Sequence, residues 1–293
     1  MKADISSNAR PFLRWAGGKG WLSEAVAAVV RDYVEERYFE PFLGSGAVFF
    51  SMRPKSAVLS DVNSDLVTTY TAIRDDVSGV LRELSRLKVS KSDFLAIRES
   101  RPVLDVKRAA RFLYLNRTCF NGLYRVNKMG NFNTPYGGGD RTPELLFDSL
   151  RLPLASAALS GAIIGHDDFS VSVSKASKGD FVYCDPAYTT KHRDGSFIRY
   201  NESLFSWRDQ VRLRELADLA CRRGAVVIVS NAADPSISKL YHPWRPLLLT
   251  RRSSIGASSG RGLVSEYLFV MARSRSLRSR LQSALFDAGL LDR

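Results

Sequence analysis

The sequence is short of cysteine, histidine, acidic residues and long apolar runs. Its 293 residues include only three cysteines and three histidines. Cys119, Cys184 and Cys221 are odd in number and follow no spacing pattern, which argues against a disulfide framework or a zinc site. His166, His192 and His242 lie far apart and show no metal-ligand spacing. No signal peptide opens the chain, and no apolar run approaches the roughly 20 residues needed to span a bilayer. A cytoplasmic protein with no membrane partner is expected. Acidic residues number 30 against 43 Lys and Arg, a formal net charge of +13. An excess of that size points to a polyanionic partner, nucleic acid before membrane surface. With 45% hydrophobic residues the chain has enough apolar material for a substantial core.

Among what is present, Asp185-Pro186-Ala187-Tyr188 carries the most chemistry. It follows Gly179-Asp180-Phe181-Val182-Tyr183-Cys184, a short apolar, β-branched and aromatic run that reads as a buried strand. Asp185 then sits at a strand's C-terminal end, where open α/β sheets bind ligands. Pro186 stiffens the turn and fixes the direction of the Asp185 carboxylate and its own carbonyl. Two adjacent acceptors with an aromatic ring beside them suit a flat ligand bearing an exocyclic amine. An ordinary Asp-Pro turn is the plainer alternative.

Two glycine turns precede it. Arg14-Trp15-Ala16-Gly17-Gly18-Lys19 offers a tight turn, a flat ring and a charge, but lacks the spacing of a phosphate-cradling P-loop. Phe39-Glu40-Pro41-Phe42-Leu43-Gly44-Ser45-Gly46 reads as a strand and a glycine-rich turn before a helix. The next strand, 57–60, ends at Asp61, where an acid can bond ribose hydroxyls. The alternative for Asp61 is a helix cap. Helices are expected over 22–34, 66–87, 106–115, 142–156 and 204–222, with a basic helical tail over 274–291. Further strands are expected near 162–164, 225–231 and 264–270. Residues 191–200 and 251–262 read as loops.

Residues 116–139 are rich in Asn, Gly and Arg with aromatics interleaved. That composition suits a hairpin or loop presenting amides, guanidinium groups and wedge-shaped rings as a binding surface. Phe120, Leu123 and Tyr124 are too apolar for a purely solvated loop.

Taken in order, these segments resemble the Dam-type, alpha-group (D12 class) DNA adenine-N6 methyltransferases. FLRWAGGKG is similar to the family's N-terminal cofactor motif, EPFLGSGAVFF to its glycine motif and SDVNSDL to its acidic ribose motif. NRTCFNGLYRVNKMGNFNTPYGG resembles its recognition hairpin, and RRSSIGASSGRGLVSEYLF its late Arg…Glu segment. DPAY stands where the family has DPPY, so Ala187 replaces a second proline. The resemblance covers about residues 11–270.

It implies an α/β fold: a Rossmann-like S-adenosylmethionine-dependent methyltransferase sheet with an inserted, mainly helical target-recognition domain carrying a β-hairpin. The implied division is 1–70 for the first part of the catalytic domain, 71–143 for target recognition, and 144–293 for the rest. The implied activity is site-specific transfer of a methyl group from S-adenosylmethionine to N6 of adenine in double-stranded DNA, within GATC, by base flipping. Asp185, Pro186 and Tyr188 would hold the adenine. Trp15, Lys19, Phe39, Glu40, Pro41, Phe42, Asp61 and Asp185 would bind the cofactor. Arg14, Arg117, Phe120, Asn121, Leu123, Arg125 and Pro135 would contact DNA, with Arg125 reading a guanine and Phe120 wedging into the stack. No metal is expected. The protein is expected to act as a monomer, and a cognate restriction endonuclease is compatible with the family. The acceptors at Asp185 and Pro186 fit cytosine N4 or an RNA adenine as well. Ala187 leaves open a catalytically weak DNA-binding protein. A nucleotide-dependent oxidoreductase is disfavoured by the incomplete glycine fingerprint.

Overall fold

The computed structural model describes residues 9–127, 129–138, 151–189, 205–252 and 263–291. Strands β1 (Tyr38–Glu40), β2 (Ala57–Ser60), β3 (Ile163–Gly165), β4 (Phe181–Cys184), β5 (Val226–Ala232), β6 (Leu247–Arg252) and β7 (Leu263–Met271) form a seven-stranded sheet in the order β3-β2-β1-β4-β5-β7-β6. The helices are α1 (Gly20–Val30), α2 (Ala47–Met52), α3 (Ser64–Ser85), α4 (Lys91–Glu99), α5 (Asp105–Thr118), α6 (Arg151–Leu159), α7 (Phe169–Lys175), α8 (Trp207–Arg222), α9 (Pro235–Leu240) and α10 (Arg275–Asp287). The expected Rossmann-like α/β class is what is seen. The chain divides into two compact units. The first comprises Met1–Gly20, Leu43–Arg53 and Asp61–His166, and the second Trp21–Phe42, Pro54–Ser60 and Asp167–Arg293. Residues 71–143 all fall in the first.

In the second unit β1 pairs in parallel with both β2 and β4, and β4 with β5. β7 then runs antiparallel between β5 and β6. All four residues of β4 are buried, as its uninterrupted apolar run requires of a central parallel strand. The core gathers Phe39, Val182, Cys184, Leu213, Ala217, Val227, Val229 and Phe269. Helix α8 starts at a capping box between Ser206 and Asp209 and ends in a left-handed Gly224 at φ 102°. Numbering from β1, strand order reverses between β1 and β4. In open α/β sheets ligands bind outside the carboxyl ends of the strands at such a switch point.

The entrances of β1 and β4 are pinned at the opposite end. Asp180, 1% exposed, accepts from the Arg37 backbone N–H and Nε at 3.2 and 3.1 Å, and from Arg37 Nη2 at 2.8 Å. The Ser177 N–H adds a bond at 2.9 Å. A buried carboxylate needs such donors.

In the first unit α3 and α5 pack against each other. A smaller core joins Phe94, Tyr114, Leu115, Cys119 and Phe132. Helix α4 is polar enough to escape sequence reading, because Phe94 is its one buried residue. Ser90 caps it. The expected hairpin is present in loose form: isolated antiparallel bridges join Cys119 to Tyr136 and Val126 to Phe132. Asn127 closes the tip, its side chain accepting from the Met129 and Asn131 N–H groups.

Most helix and strand expectations hold to within a few residues. The first helix is shorter, ending at Val30 before a 3-10 turn over Arg31–Tyr33. The helix expected over 142–156 is described only from Arg151 and continues to Leu159. The loop 191–200 and most of 251–262 lie outside the described residues, and Arg251 and Arg252 belong to β6.

Asp180→Ala should lower stability by about 2–4 kcal/mol, since it strips a buried carboxylate and leaves its donors unpaired. Urea denaturation followed by circular dichroism measures this. A loss under about 0.5 kcal/mol would mean the site relaxes to water at no cost.

Candidate active site

In the second unit, two carboxylates end adjacent parallel strands. Glu40 closes β1, is 3% exposed and accepts from the Tyr38 hydroxyl at 2.8 Å. Asp185 follows β4, with buried Pro186 after it and half-buried Ala187 packed against the core. Phe39, Pro41 and Phe42 surround the end of β1. Phe42 stacks on Phe169, centroids 5.4 Å apart, and meets Phe205 edge-on.

Tyr188 is held at its hydroxyl, which donates to Glu266 Oε2 at 2.6 Å and lies 2.9 Å from Ser230 Oγ. Glu266, on β7, is 2% exposed. Its other oxygen accepts from Arg251 Nη2 at 2.9 Å and Nε at 3.2 Å. The Arg251 guanidinium in turn lies 5.2 Å from the Trp21 ring centroid. Burial, and then the carboxylates of Asp185 and Glu266, push the Tyr188 phenol well above its ordinary range, so it stays protonated. Burial likewise pushes the Cys184 thiol up, with Asp185 adding to it. A thiol in that state is a poor nucleophile.

In the first unit, Gly44 and Gly46 adopt left-handed conformations, φ 47° and 63°. A Cβ on Gly44 would lie 2.9 Å from the Trp15 ring. Asp61 stands against this turn, accepting from the Gly44 N–H at 3.1 Å and the Asn63 N–H at 3.0 Å. Burial raises its titration, and the backbone N–H bonds pull the other way. The cap of α3 is Asn63, which accepts from Leu66 N–H, so the helix-cap alternative for Asp61 does not hold. Lys19 is buried and donates to the Gly17 carbonyl at 2.8 Å.

The residues expected to contact DNA also lie in the first unit. Arg14 is exposed, with its backbone clamped by Asn116. Asn116 Oδ1 accepts from Arg14 N–H at 2.9 Å, and Nδ2 donates to the Arg14 carbonyl at 2.7 Å and the Gly122 carbonyl at 3.3 Å. Asn121 and Gly122 both take positive φ, and a Cβ on Gly122 would strike the Arg14 side chain at 2.6 Å. Phe120 is 51% exposed, an unusual position for such a ring. Leu123 is half-buried, and Pro135 is exposed with its carbonyl accepting from Phe120 N–H. Arg125 is exposed, its Nε–H bonded to Asn133 Oδ1 at 3.1 Å. Arg117 is half-buried and donates to the Phe12 carbonyl. Tyr124 stacks on Trp15, centroids 5.6 Å apart.

Sequence reasoning missed Ser230, and took Asn116 and Glu266 only as parts of the hairpin motif and of the late Arg…Glu segment, with no role of their own. Among the described residues no group of His, Cys, Asp and Glu could hold a metal ion. No helix there is long and apolar enough to cross a membrane.

Comparison with known proteins identifies the family. Residues 15–251 match the family described as D12 class N6 adenine-specific DNA methyltransferase. A Type II methyltransferase from Lactococcus lactis subsp. cremoris is 34% identical over 271 residues, covering 89% of this chain and 95% of that one. A Type II methyltransferase from Methanocaldococcus jannaschii is 35% identical, covering 79% and 88%. A DNA adenine methylase from Serratia marcescens is 32% identical, covering 88% and 97%. The chain therefore belongs to the D12 class of N6 adenine-specific DNA methyltransferases.

Proposed function

We propose that the protein methylates adenine N6 within GATC in duplex DNA, using S-adenosylmethionine and a base flipped out of the helix. The observation that carries this reading is Asp185-Pro186 at the carboxyl end of β4, beside the switch point, with Tyr188 anchored next to it. Adenine N6 is a weak nucleophile because its lone pair is delocalised into the ring. Accepting both amine hydrogens at the Asp185 carboxylate and the Pro186 carbonyl favours a tetrahedral nitrogen with its lone pair available. The Tyr188 face supports the ring. Positioning of this kind supplies several kcal/mol of barrier reduction.

S-adenosylmethionine supplies an electrophilic methyl group on a positively charged sulfur. The residues suit it. Asp61 is held by two backbone N–H groups in a glycine turn, and the second lone pair on each oxygen suits the ribose hydroxyls. In the first unit Trp15, Lys19 and Asp61 would contact the cofactor. In the second, Phe39, Glu40, Pro41 and Phe42 would line its pocket, with Asp185 beside the methyl.

Arg14, Arg117, Phe120, Asn121, Leu123, Arg125 and Pro135 would form the DNA-contacting set. Asn133 takes the Nε–H of exposed Arg125, and the terminal amino groups of a guanidinium make a fork. That geometry matches guanine O6 and N7. Exposed Phe120 fits the role of a wedge. The +13 net charge supports affinity through phosphate contacts. The Type II designation of two relatives supports pairing with a restriction endonuclease. A monomer acting in the cytoplasm completes the reading.

Asp185→Ala should lower kcat by at least about 100-fold, on the scale of removing one preorganised hydrogen-bonding group from a transition state. Circular dichroism should show an intact fold. Near-parental turnover in a folded variant would refute the assignment.

Asp61→Asn probes cofactor binding. Burial raises the folded-state titration of Asp61, so its contribution to stability is present at low pH and lost as pH rises through that raised value. The Asn variant removes that pH dependence, but its amide NH2 faces one of the two backbone N–H donors, so it should be somewhat less stable than the parent. It should bind S-adenosylmethionine more weakly by about 1.5–3 kcal/mol in calorimetric titration. Unchanged affinity would move the cofactor elsewhere.

Arg125→Ala should relax discrimination between GATC and single-base variants by about 1–3 kcal/mol while general DNA affinity changes less. If all substrates slow by one common factor, Arg125 is a backbone contact.

A further inference from the structure

We propose that Glu266 is a positioning residue for Tyr188, fixing the axis and roll of the ring that supports the target adenine. The inference rests on the reading of Asp185-Pro186-Ala187-Tyr188 as the base-holding site. Proline at 186 restrains the chain, but Ala187 leaves the residue immediately before the ring with ordinary backbone freedom. The backbone beyond is caught by Thr189, whose hydroxyl donates to the Phe205 carbonyl and whose own carbonyl accepts from Gln210. Those bonds do not hold the ring.

The ring is held at its far end. Tyr188 Oη lies on the axis about which the ring turns, so a single bond there fixes the axis alone. Two partners do more. Glu266 Oε2 at 2.6 Å takes the phenolic hydrogen, and the Ser230 hydroxyl at 2.9 Å is placed to donate to a lone pair. A phenol prefers both its hydrogen and its acceptor direction near the ring plane, so two partners set the roll. An ionised carboxylate can only accept, which commits the phenol to donate. Arg251 holds that carboxylate in its turn, through two N–H bonds to its other oxygen. Arg251 is itself steadied over Trp21. Every link lies in the second unit, and none of Trp21, Ser230, Arg251 or Glu266 is needed to touch the base.

The test uses the full chain and a GATC duplex with S-adenosylmethionine. Tyr188→Phe deletes only the hydroxyl, keeps the ring and leaves the Glu266–Arg251 pair in place. Glu266→Gln keeps the shape, but its amide can donate as well as accept. Each should lower kcat about tenfold while KM for DNA and affinity for S-adenosylmethionine stay within about twofold. The double variant should be no slower than the slower single one, because both changes break the same link. A merely structural Glu266 would lower the melting temperature and both affinities, and would leave Tyr188→Phe with parental kcat. That result overturns the proposal, as does multiplication of the two single effects in the double variant. Asp185→Ala runs alongside. If it retains turnover, the base-holding reading itself fails. If it is inactive while Tyr188→Phe has parental kcat, only the role of Glu266 fails.

Discussion

A carboxylate removed from water must find donors, and that requirement organises much of this protein. Four acids meet it in four ways. Asp180 takes the backbone and guanidinium of Arg37 and so locks the entrances of β1 and β4. Glu40 takes the Tyr38 hydroxyl at the exit of β1. Asp61 takes two backbone N–H groups from a glycine turn and a helix start. Glu266 divides its oxygens between Tyr188 and Arg251. The first serves the fold alone. The other three stand where the proposed chemistry needs negative charge or a fixed acceptor. Charge that would be costly in an unshaped interior is made available here by donors that are already oriented.

The strands were legible because apolar, β-branched runs bounded by glycine and acid leave few other readings. The runs 179–184 and 225–231 are examples, and both lie in the sheet within two residues of expectation. Helix α4 was not legible, since one buried Phe94 in nine residues makes no periodic stripe. The position of Asp61 was clear from spacing, but its partner was not. Whether an acid after a strand caps the next helix or faces a turn depends on a two-residue offset that only coordinates resolve. Here Asn63 takes the cap.

The same limit applies to the site. Asp185, Pro186 and Tyr188 were visible because they are contiguous and follow a strand. The links from Tyr188 to Ser230 and Glu266 were not, because these come from β5 and β7, 42 and 78 residues beyond it. Asn116 was hidden for a similar reason: its partner Arg14 lies 102 residues earlier. Local composition marks residues that present chemistry to a ligand. It is nearly silent about residues that hold those groups still, since their partners are set by topology.

The Asn116 clamp has a consequence for modularity. It ties the main chain at Arg14 to the Gly122 carbonyl, while the Gly122 backbone leaves room for the Arg14 side chain alone. Trp15 stacks on Tyr124 from the same side. If residues 116–136 read DNA as proposed, the part that could be exchanged to alter sequence choice is discontinuous: residues 12–15 travel with them. A graft of the hairpin by itself would set a foreign turn against a native Arg14 shaped for its predecessor. The two segments are therefore one physical unit, although 102 residues separate Arg14 from Asn116 in the chain.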